Sequence, residues 1–161
     1  MNAWQTVKGT TIHRVIGGRS NVFLISKNSR SMLIDTSTGG NFGRLVKRLR
    51  DLPVNTDTLS ALILTHVHFD HAANAARIRE QYGVRVIVPE SEAALLESGR
   101  NAPLDGVFPI TRFLYKLLNG PAILNRITFK PSRWDIAVKD RRDLGDFGFN
   151  AYILPTPGHS V

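Results

Sequence analysis

A chain of 161 residues has the length of one ordinary globular domain. Its 42% hydrophobic content excludes a disordered polymer, and the absence of cysteine excludes disulfides and thiolate metal ligands. The formal charge of +8 raises nucleic acid or an anionic surface as a partner. However, the basic residues are dispersed along the chain, and no aromatic interleaving builds a stacking platform, which argues against nucleic acid. Met1 to Arg14 lacks the apolar core of a signal peptide, and no later stretch reaches membrane-spanning length. A soluble cytoplasmic protein with no membrane span is the default expectation.

In chain order, Ile12 to Ile16, Val22 to Ser26 and Ser31 to Asp35 read as short strands joined by tight polar turns, an antiparallel meander. A helix is predicted from Asn41 to Asp51, with Phe42, Leu45, Val46 and Leu49 at helical spacing and Pro53 beyond its end. Leu59 to Leu64 is an apolar run that reads as a buried strand. Ala72 to Tyr82 is alanine-rich and helical in pattern, stopping at Gly83. Val84 to Val88 is a β-branched strand, and Pro89 with Glu90 opens a helix to about Glu97. Strand, helix and strand over Leu59 to Val88 make a βαβ unit, so part of the sheet is parallel. Residues 98 to 133 are the least patterned. Within them Ile110, Phe113, Leu114, Leu117 and Leu118 recur at helical spacing, which suits a packed amphipathic helix, a lid or an association surface. Trp134 to Val138 and Asn150 to Leu154 read as two last strands around a turn at Asp143 to Gly148.

Chemistry concentrates in Thr65-His66-Val67-His68-Phe69-Asp70-His71, which holds three of the five histidines. It lies at the carboxyl end of a strand, where open α/β sheets bind ligands. On an extended backbone His66, His68 and Asp70 project together while His71 points elsewhere. Imidazole and carboxylate at this density suit a borderline metal such as zinc. Asp35, at an earlier strand end, has two readings that are not exclusive. It caps a turn, or it accepts the second ring N–H of a ligating histidine. His13 sits in an early strand without such neighbours and is left out.

His66-Val67-His68-Phe69-Asp70-His71 resembles the HxHxDH signature of the metallo-β-lactamase superfamily. Met32-Leu33-Ile34-Asp35-Thr36 and Thr156-Pro157-Gly158-His159-Ser160 resemble its flanking LIDTG and TPGHT motifs, in the same order. The resemblance implies an α/β fold, a mixed β-sheet with flanking helices like the N-terminal half of that family's αββα sandwich. It implies a single domain over residues 1–161, incomplete at its C-terminal end by comparison with the family. His66, His68 and His159 are then the ligands of one zinc, and Asp70 and His71 contribute to a second. Asp70 is also the candidate catalytic residue, and Asp35 supports the ligands from behind. The family's bridging carboxylate and last histidine have no counterpart here, so the second site is expected to be incomplete.

Three histidines with an open fourth position imply a zinc-activated water attacking an ester, thioester or lactone carbonyl of a small molecule. Two further readings stay open. One is a catalytically deficient remnant that binds metal or oligomerises. The other is a nucleic-acid-processing member of the same superfamily. As an isolated chain the protein is expected to be a weak or inactive hydrolase. A bare sheet face is expected to be met by self-association or by a missing C-terminal polypeptide.

Overall fold

The start of the chain folds as a meander. Strands β1 (Asn2–Gln5), β2 (Thr11–Ile16), β3 (Val22–Lys27) and β4 (Arg30–Ile34) pair antiparallel in sequence order. The chain then crosses over through helix α1 (Phe42–Arg50) to β5 (Leu59–Ile63), which lies parallel to β4. Two helices, α2 (Phe69–Ala72) and α3 (Ala75–Tyr82), lead to β6 (Arg85–Pro89), parallel to β5. A short 3-10 turn at Glu90–Glu92 and helix α4 (Ala93–Ser98) follow, and β7 (Ile136–Val138) closes the sheet parallel to β6. The result is a 7-stranded mixed sheet in sequence order, antiparallel in its first half and parallel in its second. This computed structural model describes residues 2–52, 54–102, 127–156 and 158. The helix expected around Ile110 to Leu118, and the lid reading attached to it, lie outside the described residues.

One face of the sheet packs against the helices. Leu45 and Leu49 of α1 and Ile78 and Tyr82 of α3 share one core with residues that include Leu33, Leu62 and Val86. Side-chain alternation sends the intervening residues of the same strands to the other face. Helix α3 stops where the sequence predicts, because Gly83 takes the left-handed conformation at φ 66° and its N–H closes on the Arg79 carbonyl at 2.8 Å. The single helix expected from Ala72 is broken at Ala73–Asn74. Asn74 turns its side-chain amide to the carbonyls of Thr36 and Thr38, at 2.9 and 2.8 Å, so local side-chain bonding competes with helix continuation. Ahead of β7, Asp135 takes a bidentate pair from Arg79 and a 2.8 Å hydrogen bond from the Val86 N–H. Burial of its carboxyl acts to raise the pKa, but these donors outweigh it and hold the group below the usual aspartate value.

The opposite face differs from expectation. It was expected to lie bare, yet Met32, Ala61, Ile63, Ile87 and Val138 pack beneath Leu144, Phe147 and Phe149. Leu144 and Phe147 come from the segment read as a plain turn, and Phe149 directly follows it. Strands β8 (Arg142–Asp143) and β9 (Tyr152–Ile153) pair antiparallel, and a 3-10 turn at Gly145–Phe147 between them drives Phe147 into the sheet. The Arg85 guanidinium lies 4.0 Å over that ring and screens it from solvent. Strand β1 was not expected either. All of its residues are exposed, so no apolar alternation marks it in the sequence. Phe147 is 0% exposed, so Phe147→Ala is expected to cost about 3–5 kcal/mol in urea unfolding. A loss below about 1 kcal/mol would show that this face does not depend on the segment.

Candidate metal centre

The histidine-rich stretch leaves the end of β5 and crosses to α2 on the edge where β4 also ends. The extended alternation expected of it stops at His68, which has extended backbone (φ −93°, ψ 150°) and precedes the helical turn Phe69–Ala72. That turn brings His71 back instead of sending it elsewhere. Its ring lies 4.0 Å from that of His66, and the His68 ring lies 4.6 Å from His66 on another side. His68 is buried, and Asp70 stands at the rim, where Arg19 from the β2–β3 turn approaches it to 3.7 Å. The same guanidinium sits 5.0 Å over the Phe69 ring. His13, left out of the cluster, lies within the sheet opposite Ala3 and Leu24.

Beneath the histidines lies Asp35. Its backbone is left-handed at φ 60°, a conformation that aspartate tolerates better than most residues. Its Oδ1 accepts the Thr65 N–H at 2.8 Å. Its Oδ2 accepts the Thr65 hydroxyl and faces His71 Nδ1, each at 2.8 Å. A carboxylate brings no proton, so His71 Nδ1 carries the hydrogen and the ring's lone pair sits on Nε2. The Thr65 hydroxyl has a single hydrogen, already given to Asp35, and therefore accepts from His66 Nδ1 at 2.9 Å. His66 is thus held in the same tautomer. Burial of the His71 ring works against its charged form. The hydrogen bond to Asp35 and the charges of Asp35 and Asp70 outweigh it, so the pKa stands above the ordinary histidine value.

The backbone of the stretch is secured as well. Thr36 donates both its N–H and its hydroxyl to the His71 carbonyl, at 2.7 and 2.8 Å. On the other side the Val67 N–H donates to Glu92, the Val67 carbonyl accepts from Ala102 N–H at 2.9 Å, and the Phe69 N–H donates to Asn101 Oδ1 at 2.6 Å. Glu92 and Asn101 escaped the sequence reading. A glutamate at the start of a helical pattern looks solvated, and nothing local marks it as buried.

The donors are of the right chemistry for a divalent metal, namely imidazole nitrogens with assigned tautomers beside a carboxylate. Among the described residues no group of three or more such donors stands at metal-binding geometry. The remaining candidate, His159, lies outside the described residues, while Gly158 before it is within them. A cavity of about 540 Å³ opens beside the cluster, from Thr65 and His66 across apolar Ile87, Val138 and Leu154 to Thr156.

Comparison with known proteins bears on this geometry. The profile of the metallo-beta-lactamase superfamily matches residues 15–161. The chain belongs to that superfamily. A probable metallo-hydrolase of Streptococcus pyogenes serotype M6 is 28% identical over 151 residues, covering 93% of this chain and 56% of that protein. A hydroxyacylglutathione hydrolase of a Bradyrhizobium species is 31% identical over 74 residues, 45% of this chain and 29% of that protein. In fold, the chain is similar to a subclass B3 metallo-beta-lactamase of Bradyrhizobium japonicum, with a TM-score of 0.69 at 23% identity over 99% of this chain and 53% of that one. The superfamily member thus spans about half the length, or less, of these relatives. No helix among the described residues is long and apolar enough to cross a membrane.

The Asp35 network sets an order of costs. Asp35→Ala strands the Thr65 N–H and both hydroxyl and imidazole donors, and should cost about 3 kcal/mol in urea unfolding of the metal-free chain. Thr65→Val removes only the hydroxyl and should cost about 1 kcal/mol. The reverse order would show that Asp35 is not the anchor.

Proposed function

We propose that this chain carries the histidine-rich metal site of a zinc-dependent hydrolase that acts on ester, thioester or lactone carbonyls. The observation that carries this reading is the clustering of His68 and His71 against His66, with ring centroids 4.6 and 4.0 Å away, and the engagement of His71 Nδ1 by Asp35 and of His66 Nδ1 by Thr65. His66 and His68 would hold one ion together with His159, and Asp70 and His71 would contribute to a second. When bound, zinc supplies a Lewis acid and an activated water near neutral pH.

The remaining roles belong to the chain's own side chains. Asp35 and Thr65 engage the Nδ1 atoms of the two imidazoles and leave their Nε2 atoms as the donors to a metal, with His71 giving up an Nε2 proton on metal binding where its raised pKa keeps it charged. Asp70, with its side chain 17% exposed, is the acceptor we assign, at Oδ2, for the proton released when water adds to the carbonyl. Arg19 balances that carboxylate at the rim. The apolar wall formed by Ile87, Val138 and Leu154 suits the acyl portion of a small substrate. A carbonyl substrate is favoured over nucleic acid because the basic residues are dispersed along the sequence without aromatic interleaving. The relative named a hydroxyacylglutathione hydrolase supports an acylated small molecule as the substrate class.

Zinc retained after dialysis should be about one ion per chain, and near zero in a His66→Ala, His68→Ala double variant. Equal retention by parent and variant would overturn the site. In a panel of esters, thioesters and lactones set beside labelled RNA and DNA, any zinc-dependent turnover is expected on the carbonyl compounds. Cleavage confined to nucleic acid would overturn the substrate class.

A further inference from the structure

The Glu92 carboxylate is buried, with the residue only 2% exposed, at the end of the 3-10 turn that follows β6. An ionisable side chain enclosed to this degree is held by specific partners, since burial without them is costly. One partner is the N–H of Val67, the residue between His66 and His68. The peptide that this bond fixes is His66–Val67, the first of the two that join the histidines. Its orientation sets the angle between their side chains, because Cα–Cβ directions follow the backbone on either side of Val67. Val67 itself is 0% exposed and anchors the loop in the core, and its carbonyl is taken by Ala102 N–H at 2.9 Å. Both polar groups of that residue are therefore committed, one to Glu92 and one to the 101–102 segment. Gly99, which turns the chain from α4 into that segment, has φ 66° and would place an added Cβ 2.3 Å from the Phe129 carbonyl. The clamp therefore rests on backbone as well as on Glu92.

We infer that Glu92 is a positioning residue that sets the His66–His68 pair for metal by the reach of its side chain to the Val67 N–H, rather than by its charge. The inference rests on the metal-site reading above and deepens it. Two near-isosteric variants separate reach from charge. Glu92→Gln keeps the length and a carbonyl oxygen to accept the N–H but has no charge. Glu92→Asp keeps the charge but withdraws the acceptor by one methylene. The measurement is cobalt(II) binding to the 161-residue chain by titration against a competing chelator, with the visible spectrum of the bound ion recorded as a report on ligand geometry. The thermal midpoint of each metal-free chain is measured in parallel. Glu92→Gln should bind within about twofold of the parent with the same spectrum, whereas Glu92→Asp should bind about tenfold more weakly with an altered spectrum. Glu90→Gln, on the same turn, should match the parent.

Parental affinity and spectrum in Glu92→Asp would overturn the inference, as would a weaker Glu92→Gln than Glu92→Asp, which would assign the effect to charge. Equal losses of thermal midpoint in both variants with unchanged cobalt affinity would make Glu92 a structural residue only and likewise overturn it. A parent chain that fails to bind cobalt at all would overturn the metal site itself, and with it this role.

Discussion

The buried carboxylate of Asp35 gathers Thr65 N–H, the Thr65 hydroxyl and His71 Nδ1 into one acceptor set, and the hydroxyl passes the constraint on to His66. Each bond is ordinary in length, and their combination settles the tautomers of two imidazoles at once. In water, a neutral histidine exchanges its proton between nitrogens. Here exchange at His71 would leave the buried Asp35 carboxylate without its ring donor, which burial makes expensive, and exchange at His66 would forfeit its bond to the Thr65 hydroxyl. The left-handed backbone at Asp35 and, two residues on, at Ser37 (φ 64°) is the conformational cost of bringing this carboxylate under the histidines. The ends of β4 and β5 must therefore stay in parallel register, because Asp35 arrives from one and Thr65 from the other. The Asp35 N–H bond to the Ile63 carbonyl at 2.9 Å continues that ladder to the last residue.

That requirement gives the mixed sheet its purpose. The antiparallel meander delivers β4 cheaply, by short turns, and the parallel half places the carboxyl ends of β4, β5, β6 and β7 on one edge. From β4 comes Asp35, from β5 the histidines, from the turn after β6 Glu92, and after β7 the chain begins its path toward Pro155 and Thr156 on the cavity wall. Asn74 ties the start of α3 to the turn after β4, so that α2 cannot move independently of Asp35. The histidine turn is consequently held from both flanks, by Thr36 on one and by Glu92, Asn101 and Ala102 on the other.

Much of this was legible in the sequence where one local pattern dominates. The histidine spacing, the apolar β5, the Gly83 stop and the glycine-rich turns each carry their own signal, and Asp35 stood out because it ends a strand within a family-like motif. Other features depend on partners distant in sequence. Phe147 looks like a turn residue and becomes core only because Ile63, Ile87 and Val138 present a face for it. Glu92 looks like a solvated helix start, and its role exists only once β6, pairing with β5, sets the turn that follows it beside Val67. His71 was placed elsewhere because a strand period was extended through residues that form a helical turn. Strand β1 lacks any burial to leave a pattern.

The most direct test of the Asp35 relay is long-range nitrogen–proton correlation NMR on the zinc-loaded chain with labelled histidine. Protonated Nδ1 is predicted for both His66 and His71, with a metal-shifted Nε2 at His66 and with Thr65→Val relaxing the tautomer of His66 alone. A proton on Nε2 of His71, or a His66 tautomer indifferent to Thr65, would contradict it.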